Sequence, residues 1–213
     1  MDHNIAKIRH DYHLKGLSEA DLKADPLKQF RLWFDEAVEA GISEANAMLL
    51  STVSNGRPSA RVVLLKDLDE QGFSFFTNYR SRKGRDMEEN SQVALTFFWK
   101  EFERQVRIEG AAVKTSEEES SEYFAVRPRG SQIGAWVSDQ SEVIPDREFL
   151  EGKTKDFETK FEGQTVSRPP HWGGYRVIPD FIEFWQGRPS RLHDRLAYTK
   201  SEGNVWKIER LSP

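Results

Sequence analysis

Ala47-Met48-Leu49-Leu50-Ser51-Thr52-Val53, then Ser54-Asn55-Gly56, then Arg61-Val62-Val63-Leu64-Leu65-Lys66 is the passage that decides the fold. The first run reads as a strand. Asn-Gly is the dipeptide that tolerates two successive positive φ angles, so it signals a tight hairpin turn, and Arg61–Lys66 reads as the returning strand. The pattern continues downstream. A turn at Asp67–Gly72 leads into Phe73–Thr77, and Val93–Trp99 and Gln105–Thr115 are further strand candidates. Near the C-terminus Tyr175–Val177, Phe181–Gln186, Arg191–Tyr198 and Val205–Leu211 complete about eight short strands, the last two joined by Glu202-Gly203-Asn204.

Helices interrupt this series. Leu27, Phe30, Phe34 and Val38, with Trp33 and Ala37, have helical spacing from Pro26 until Gly41. Ser81 can cap a short helix to about Asn90, and Ser116 with Glu119 forms a capping box for Glu117–Val126, which Pro128 ends. Pro145-Asp146 opens another helix with Phe149, Leu150, Phe157 and Phe161 on one side. Strands do not alternate with helices as in a parallel α/β sheet, so the expected class is mainly β with helices (α+β), an antiparallel barrel. Residues 1–25 are polar and read as an arm or lid, and 26–213 as one domain.

The chain has 213 residues and no cysteine, which excludes disulfides, thiolate metal sites and a Cys nucleophile, and suits a reducing cytoplasm. Mean hydropathy is −0.70, yet 14 Phe, 6 Trp and 5 Tyr argue for a packed core rather than disorder. No apolar run is long enough to span a bilayer. A net charge of −4 argues against a general nucleic-acid binder, so any polyanion must be held by local cations. No GxGxxG, GxxxxGK[ST], HExxH or GxSxG occurs, and His3, His10 and His13 sit in the polar arm, so no metal is expected.

Candidate chemistry therefore rests on cationic clusters. In a strand, Arg191, His193 and Arg195 would share one face, with Leu192 and Asp194 on the other. That suits a planar anionic ligand, or else an exposed strand with local ion pairs. Trp185 nearby is either a ring-binding wall or core. Arg61 and Lys66 bracket an apolar strand and, if extended, face opposite sides. Ser81-Arg82-Lys83 places two cations at a helix N-terminus, against the helix dipole, which favours a bound phosphate over a solvated turn. Arg127 and Arg129 near a helix end are also ordinary dipole complementarity, Gln105 is a polar residue in a half-buried strand, and Glu117, Glu119 and Glu122 read as a solvated face. Separate phosphate-grade clusters without a triad or metal site suggest two phosphorylated small molecules, one of them a reactive cofactor.

Ile182-Glu183-Phe184-Trp185-Gln186 and Arg191-Leu192-His193-Asp194-Arg195 resemble the signature of the pyridoxine/pyridoxamine 5′-phosphate oxidase family. Arg61–Lys66, Thr77-Asn78, Ser81-Arg82-Lys83, Glu103-Arg104-Gln105-Val106, Arg127 through Trp136, and His171-Trp172-Gly173-Gly174 are similar to it in order and spacing, from about Arg9 to Pro213. The resemblance implies an FMN-binding split β-barrel homodimer. It implies oxidation of pyridoxine or pyridoxamine 5′-phosphate to pyridoxal 5′-phosphate by hydride transfer to the flavin, with O2 as acceptor, in vitamin B6 metabolism. Carried over by position, Arg61, Val62, Val63, Leu64, Leu65, Lys66, Phe76, Thr77, Arg82, Lys83, Gln105, Gln140, Ser141, Trp185 and Arg195 would surround FMN. Lys66, Tyr123, Arg127 and Ser131 would clamp the substrate phosphate. Arg191, Leu192 and His193 would face the substrate ring, with Arg191 and His193 as the catalytic pair, and Arg9 and Tyr12 would close over it. Phe76 stands where some relatives carry Tyr, and Arg188-Pro189-Ser190 fills a variable spacer. The rival readings are another split-barrel flavoprotein, such as a flavin reductase, and a non-enzymatic carrier of FMN or pyridoxal phosphate.

Overall fold

The computed structural model describes residues 11–213, so Arg9, His3 and His10 lie outside the described residues. The described chain forms β1 (Ala47–Ser54), β2 (Arg57–Leu64), β3 (Asp67–Leu68), β4 (Phe73–Asn78), β5 (Gln92–Trp99), β6 (Arg104–Lys114), β7 (Trp172–Gln186), β8 (Asp194–Lys200) and β9 (Trp206–Arg210). The helices are α1 (Pro26–Glu39), α2 (Arg82–Glu89), α3 (Glu117–Ala125), α4 (Arg129–Val137) and α5 (Arg147–Lys160). The strands make one antiparallel sheet in the order β2-β1-β5-β6-β7-β4-β3, with β8 on β7 and β9 on β8. The sheet is not closed. Among the described residues no helix is long and apolar enough to cross a membrane.

The chain divides into two compact units. Among the described residues one comprises 11–49, 94–109 and 179–213, and the other 50–93 and 110–178. In the first, Asp25 caps α1 by accepting the Leu27 N–H at 2.8 Å, with Pro26 pre-set for the first turn. Gly41, at φ +72°, stops the helix. The buried stripe Phe30, Trp33 and Ala37 packs on rings of the sheet: Phe30 lies 4.8 Å from Phe97 and Trp33 lies 5.1 Å from Phe184, both edge-on.

In the second unit Asn55 (φ +49°) and Gly56 (φ +72°) make the turn expected between β1 and β2. Ser81 caps α2, and Ser116 and Glu119 form the capping box of α3. Its core gathers Phe124, Ile133, Val137, Phe161, Val166 and Trp172, against which α5 lays Leu150 and Phe157.

Three features depart from the sequence reading. The stretch after Pro128 is a full helix, α4, because Ile133 and Val137 bury a helical stripe in that core. The two strands expected around Pro179 are one, β7. Proline cannot donate to a ladder, and Pro179 falls between the stretch paired with β4, which ends at Val177, and the stretch paired with β8, which begins at Phe181. Finally, β8 starts at Asp194 rather than Arg191. Ser190 (φ +58°) and Arg191 (φ +61°) are both left-handed, so Arg191, His193 and Arg195 do not alternate along one strand face.

Candidate active site

The second unit holds a cleft of ≈ 830 Å³ lined by twelve of the expected ligand residues: Arg61, Val62, Val63, Leu64, Lys66, Phe76, Thr77, Lys83, Tyr123, Arg127, Ser131 and Gln140. Leu65 is buried instead. Because β2 ends at Leu64, Lys66 is free of strand alternation and reaches the same cleft as Arg61, contrary to the opposite-faces expectation.

One end of the cleft is built on the start of α2. Gly84 allows the chain to turn tightly there, since a Cβ would fall 2.0 Å from the Tyr79 carbonyl oxygen. Lys83 Nζ donates to Gln140 Oε1 (3.2 Å) and Thr77 Oγ1 (3.3 Å), and the Arg82 N–H donates to Ser141 Oγ (3.1 Å). Arg61 is held by Thr52 Oγ1 and Ser59 Oγ, each at 2.7 Å, and stands 3.6 Å from the buried Asp86. Burial pushes the Lys83 pKa down, Arg61 pushes it further, and Asp86 opposes both. Arg61 is likewise pushed down by burial, then by Arg82, against the pull of Asp86. Cations that repel one another at a helix N-terminus fit an anion such as a phosphate.

The other end is aromatic. Phe76 stacks on Tyr123 at 4.1 Å and on Trp172 at 5.7 Å. The Arg127 guanidinium lies 4.4 Å over the Trp172 ring, and its buried Nη1 has no hydrogen-bond partner in the protein. Burial lowers its pKa. A guanidinium clamped by rings, with a donor unspent and Ser131 and Lys66 on the same wall, fits a second anionic group.

Of the remaining expected residues, those that are described, Tyr12, Gln105, Trp185, Arg191, Leu192, His193 and Arg195, lie in the first unit. His193 Nδ1 accepts the Arg188 N–H at 3.1 Å, so the neutral ring carries its proton on Nε2. The ring lies 4.5 Å from Trp185 and 5.8 Å from Tyr12, edge-on, and Tyr12 meets Trp185 edge-on at 5.7 Å. Burial, then Arg191, pushes the His193 pKa down. Arg191 and Leu192 are exposed, and Gln105 is half-buried. Arg195 gives Nε and Nη2 to the carboxylate of Glu183 (2.7 and 3.1 Å), which Arg107 also meets at 3.1 Å.

Sequence reasoning passed over Asp86, Thr52, Glu183 and Glu103. Glu183 carried a signal: a lone carboxylate between Ile182 and Phe184 in an apolar strand is expected to have a buried cationic partner. Asp86, one turn from Arg82 on a charged helix, carried none.

Residues 34–161 match the family described as pyridoxamine 5′-phosphate oxidase, and residues 172–213 match the pyridoxine 5′-phosphate oxidase C-terminal dimerisation region. The chain is 58% identical to a pyridoxine/pyridoxamine 5′-phosphate oxidase of Nostoc punctiforme, covering 100% of both chains. It is 55% identical to one of Cupriavidus necator, covering 98% of this chain and 99% of that one. Among solved structures it is similar to PhzG of Burkholderia lata, determined with tetrahydrophenazine-1-carboxylic acid, with TM-score 0.88 and 31% identity over 96% of this chain and 100% of that one. Full-length likeness, the signature beside His193 and the cation-lined cleft agree: the chain belongs to the pyridoxine/pyridoxamine 5′-phosphate oxidase family of oxidoreductases.

Proposed function

We propose that this protein oxidises pyridoxine 5′-phosphate and pyridoxamine 5′-phosphate to pyridoxal 5′-phosphate with FMN as cofactor, as a cytoplasmic homodimer. The cleft with cations at both ends carries this reading, because cofactor and substrate each bring a phosphate. Arg61, Arg82, Lys83, Thr77, Gln140 and Ser141 would hold the FMN phosphate, with Val62, Val63, Leu64, Leu65, Phe76, Gln105, Trp185 and Arg195 completing its site. Lys66, Tyr123, Arg127 and Ser131 would hold the substrate phosphate. Arg191, Leu192 and His193 would face the substrate ring, with Tyr12 and Arg9 covering it.

FMN, when bound, would supply two-electron acceptance from the substrate C4′ position, with O2 taking the electrons as H2O2, and the amine substrate would also consume one water and release ammonia. The protein's part is orientation and electrostatics. With Nδ1 of His193 accepting the Arg188 N–H and its pKa pushed down by burial and Arg191, the ring would offer its Nε2 proton to the substrate as a hydrogen-bond donor, beside the Arg191 cation. The C-terminal match to a dimerisation region supports two copies. The cytoplasmic setting rests on composition: 213 residues without a cysteine.

The test is the visible spectrum of the purified protein. Flavin bands that bleach on anaerobic addition of pyridoxine 5′-phosphate and return with air are expected. Turnover only with NAD(P)H would point to a reductase, and a yellow protein that never bleaches to a carrier. A colourless protein that takes up no added FMN would overturn the reading.

A further inference from the structure

Residues 12–14 of the arm and the loop carrying Arg191 and His193 are joined through one residue, Glu103. Glu103 ends the short turn Lys100–Phe102 in a left-handed conformation (φ +53°) and is buried. Its carboxylate accepts the backbone N–H groups of His13 and Leu14, each at 3.1 Å. Its own carbonyl accepts the Gly187 N–H at 2.8 Å, one residue before Arg188, whose N–H fixes His193. The same residue thus holds the arm through its side chain and the loop through its backbone. At the crossing, a Cβ on Gly187 would fall 2.7 Å from Tyr12 Cγ and 3.0 Å from Glu103 Cβ. Only glycine leaves room for the Tyr12 ring to lie against Trp185 and His193. A residue chosen for its backbone alone at that left-handed position would be Gly or Asn. Glu103 accepts the strain and gives its carboxylate to the arm.

We propose that Glu103 is a positioning residue for the substrate face: by pinning the arm it seats Tyr12 against His193 and Trp185, with Gly187 supplying the space. The proposal rests on the reading of that face given above. A carboxylate accepting two amide hydrogens fixes both direction and register of the arm, which a neutral contact would not do. Asp194 fastens the arm a turn later, accepting the Leu17 N–H at 3.0 Å, while Arg210 bonds Asp194 and the Leu17 carbonyl.

The experiment uses the full-length, FMN-loaded protein and compares wild type with Glu103→Ala, Glu103→Gln and Gly187→Ala. Three quantities are read: the rate of trypsin cleavage at the exposed Lys15, the NMR shift of the His193 ring proton, and KM against kcat for pyridoxine 5′-phosphate. In Glu103→Ala the Lys15 cleavage rate and KM should each rise about tenfold, as expected for losing charge-assisted hydrogen bonds, with kcat changed less than about threefold and flavin retained. The His193 proton should lose the ring-current shift of Tyr12. Glu103→Gln, which keeps one acceptor oxygen, should fall between. Gly187→Ala should reproduce the KM and His193 effects with the carboxylate intact, and it carries the test should Glu103→Ala fail to fold. Unchanged Lys15 cleavage and an unmoved His193 signal would overturn the proposal, and so would a released arm with unaltered KM. Wild type that never oxidises the substrate would instead sink the functional reading, while the cleavage and NMR measurements still decide the anchoring.

Discussion

Single residues in this protein are set by partners that their neighbours in sequence do not reveal. His193 is the clearest case. Its ordinary pKa of 6.5 is pushed down by burial and by Arg191, and Nδ1 is committed to the Arg188 N–H. The folded pKa therefore lies below the unfolded one, so the unfolded chain takes up the proton first as pH falls. The stabilising contribution of the neutral ring is complete above about 6.5 and is lost as pH drops through the lower folded value. An NMR titration of the His193 ring should give a midpoint below 6.5, and a midpoint at or above it would refute the assignment. The conflict of Arg82 and Lys83 with the α2 dipole was readable in sequence because both charges and the helix start are local. Asp86 and Glu183 were not, because what makes them matter is burial beside arginines brought from other strands.

At the scale of elements, local chemistry was legible and packing was not. The Asn55-Gly56 turn, the Ser81 cap and the Ser116–Glu119 box all formed as read, each satisfying backbone groups within a few residues. Helix α4 escaped because Gly130 and Gly134 weaken its propensity, and only the buried Ile133–Val137 stripe overrides that. The capping box makes α3 testable. Ser116 Oγ accepts the Glu119 N–H at 3.0 Å, and Glu119 accepts the Ser116 N–H at 2.9 Å. Ser116→Ala should cost about 1 kcal/mol, or roughly 2–4 °C in Tm, measured by thermal denaturation. No change in Tm would show that Glu119, also paired with Arg176, holds the helix end alone.

For the whole molecule, antiparallel β with helices was the expectation and is the architecture found, but the strand order was out of reach. Pairings such as β4 with β7 join residues about a hundred positions apart, and no local pattern encodes them. Several cleft cations, Arg61, Lys66, Lys83 and Arg127, stood out by pattern, but that they converge on one cleft was legible only through family likeness, since convergence depends on that order. Assembly is the property to measure at this scale. Sedimentation equilibrium should return twice the 24.7 kDa chain mass, and a monomer at micromolar concentration would contradict the homodimer.

The paired left-handed residues at 190 and 191 bear on anyone who would harden this protein against heat. Glycine at 190 would relax the backbone and rank well in a search for thermostable variants, yet it would unlock the swivel on which Arg191 hangs. Libraries aimed at that corner should be sorted on turnover as well as on melting.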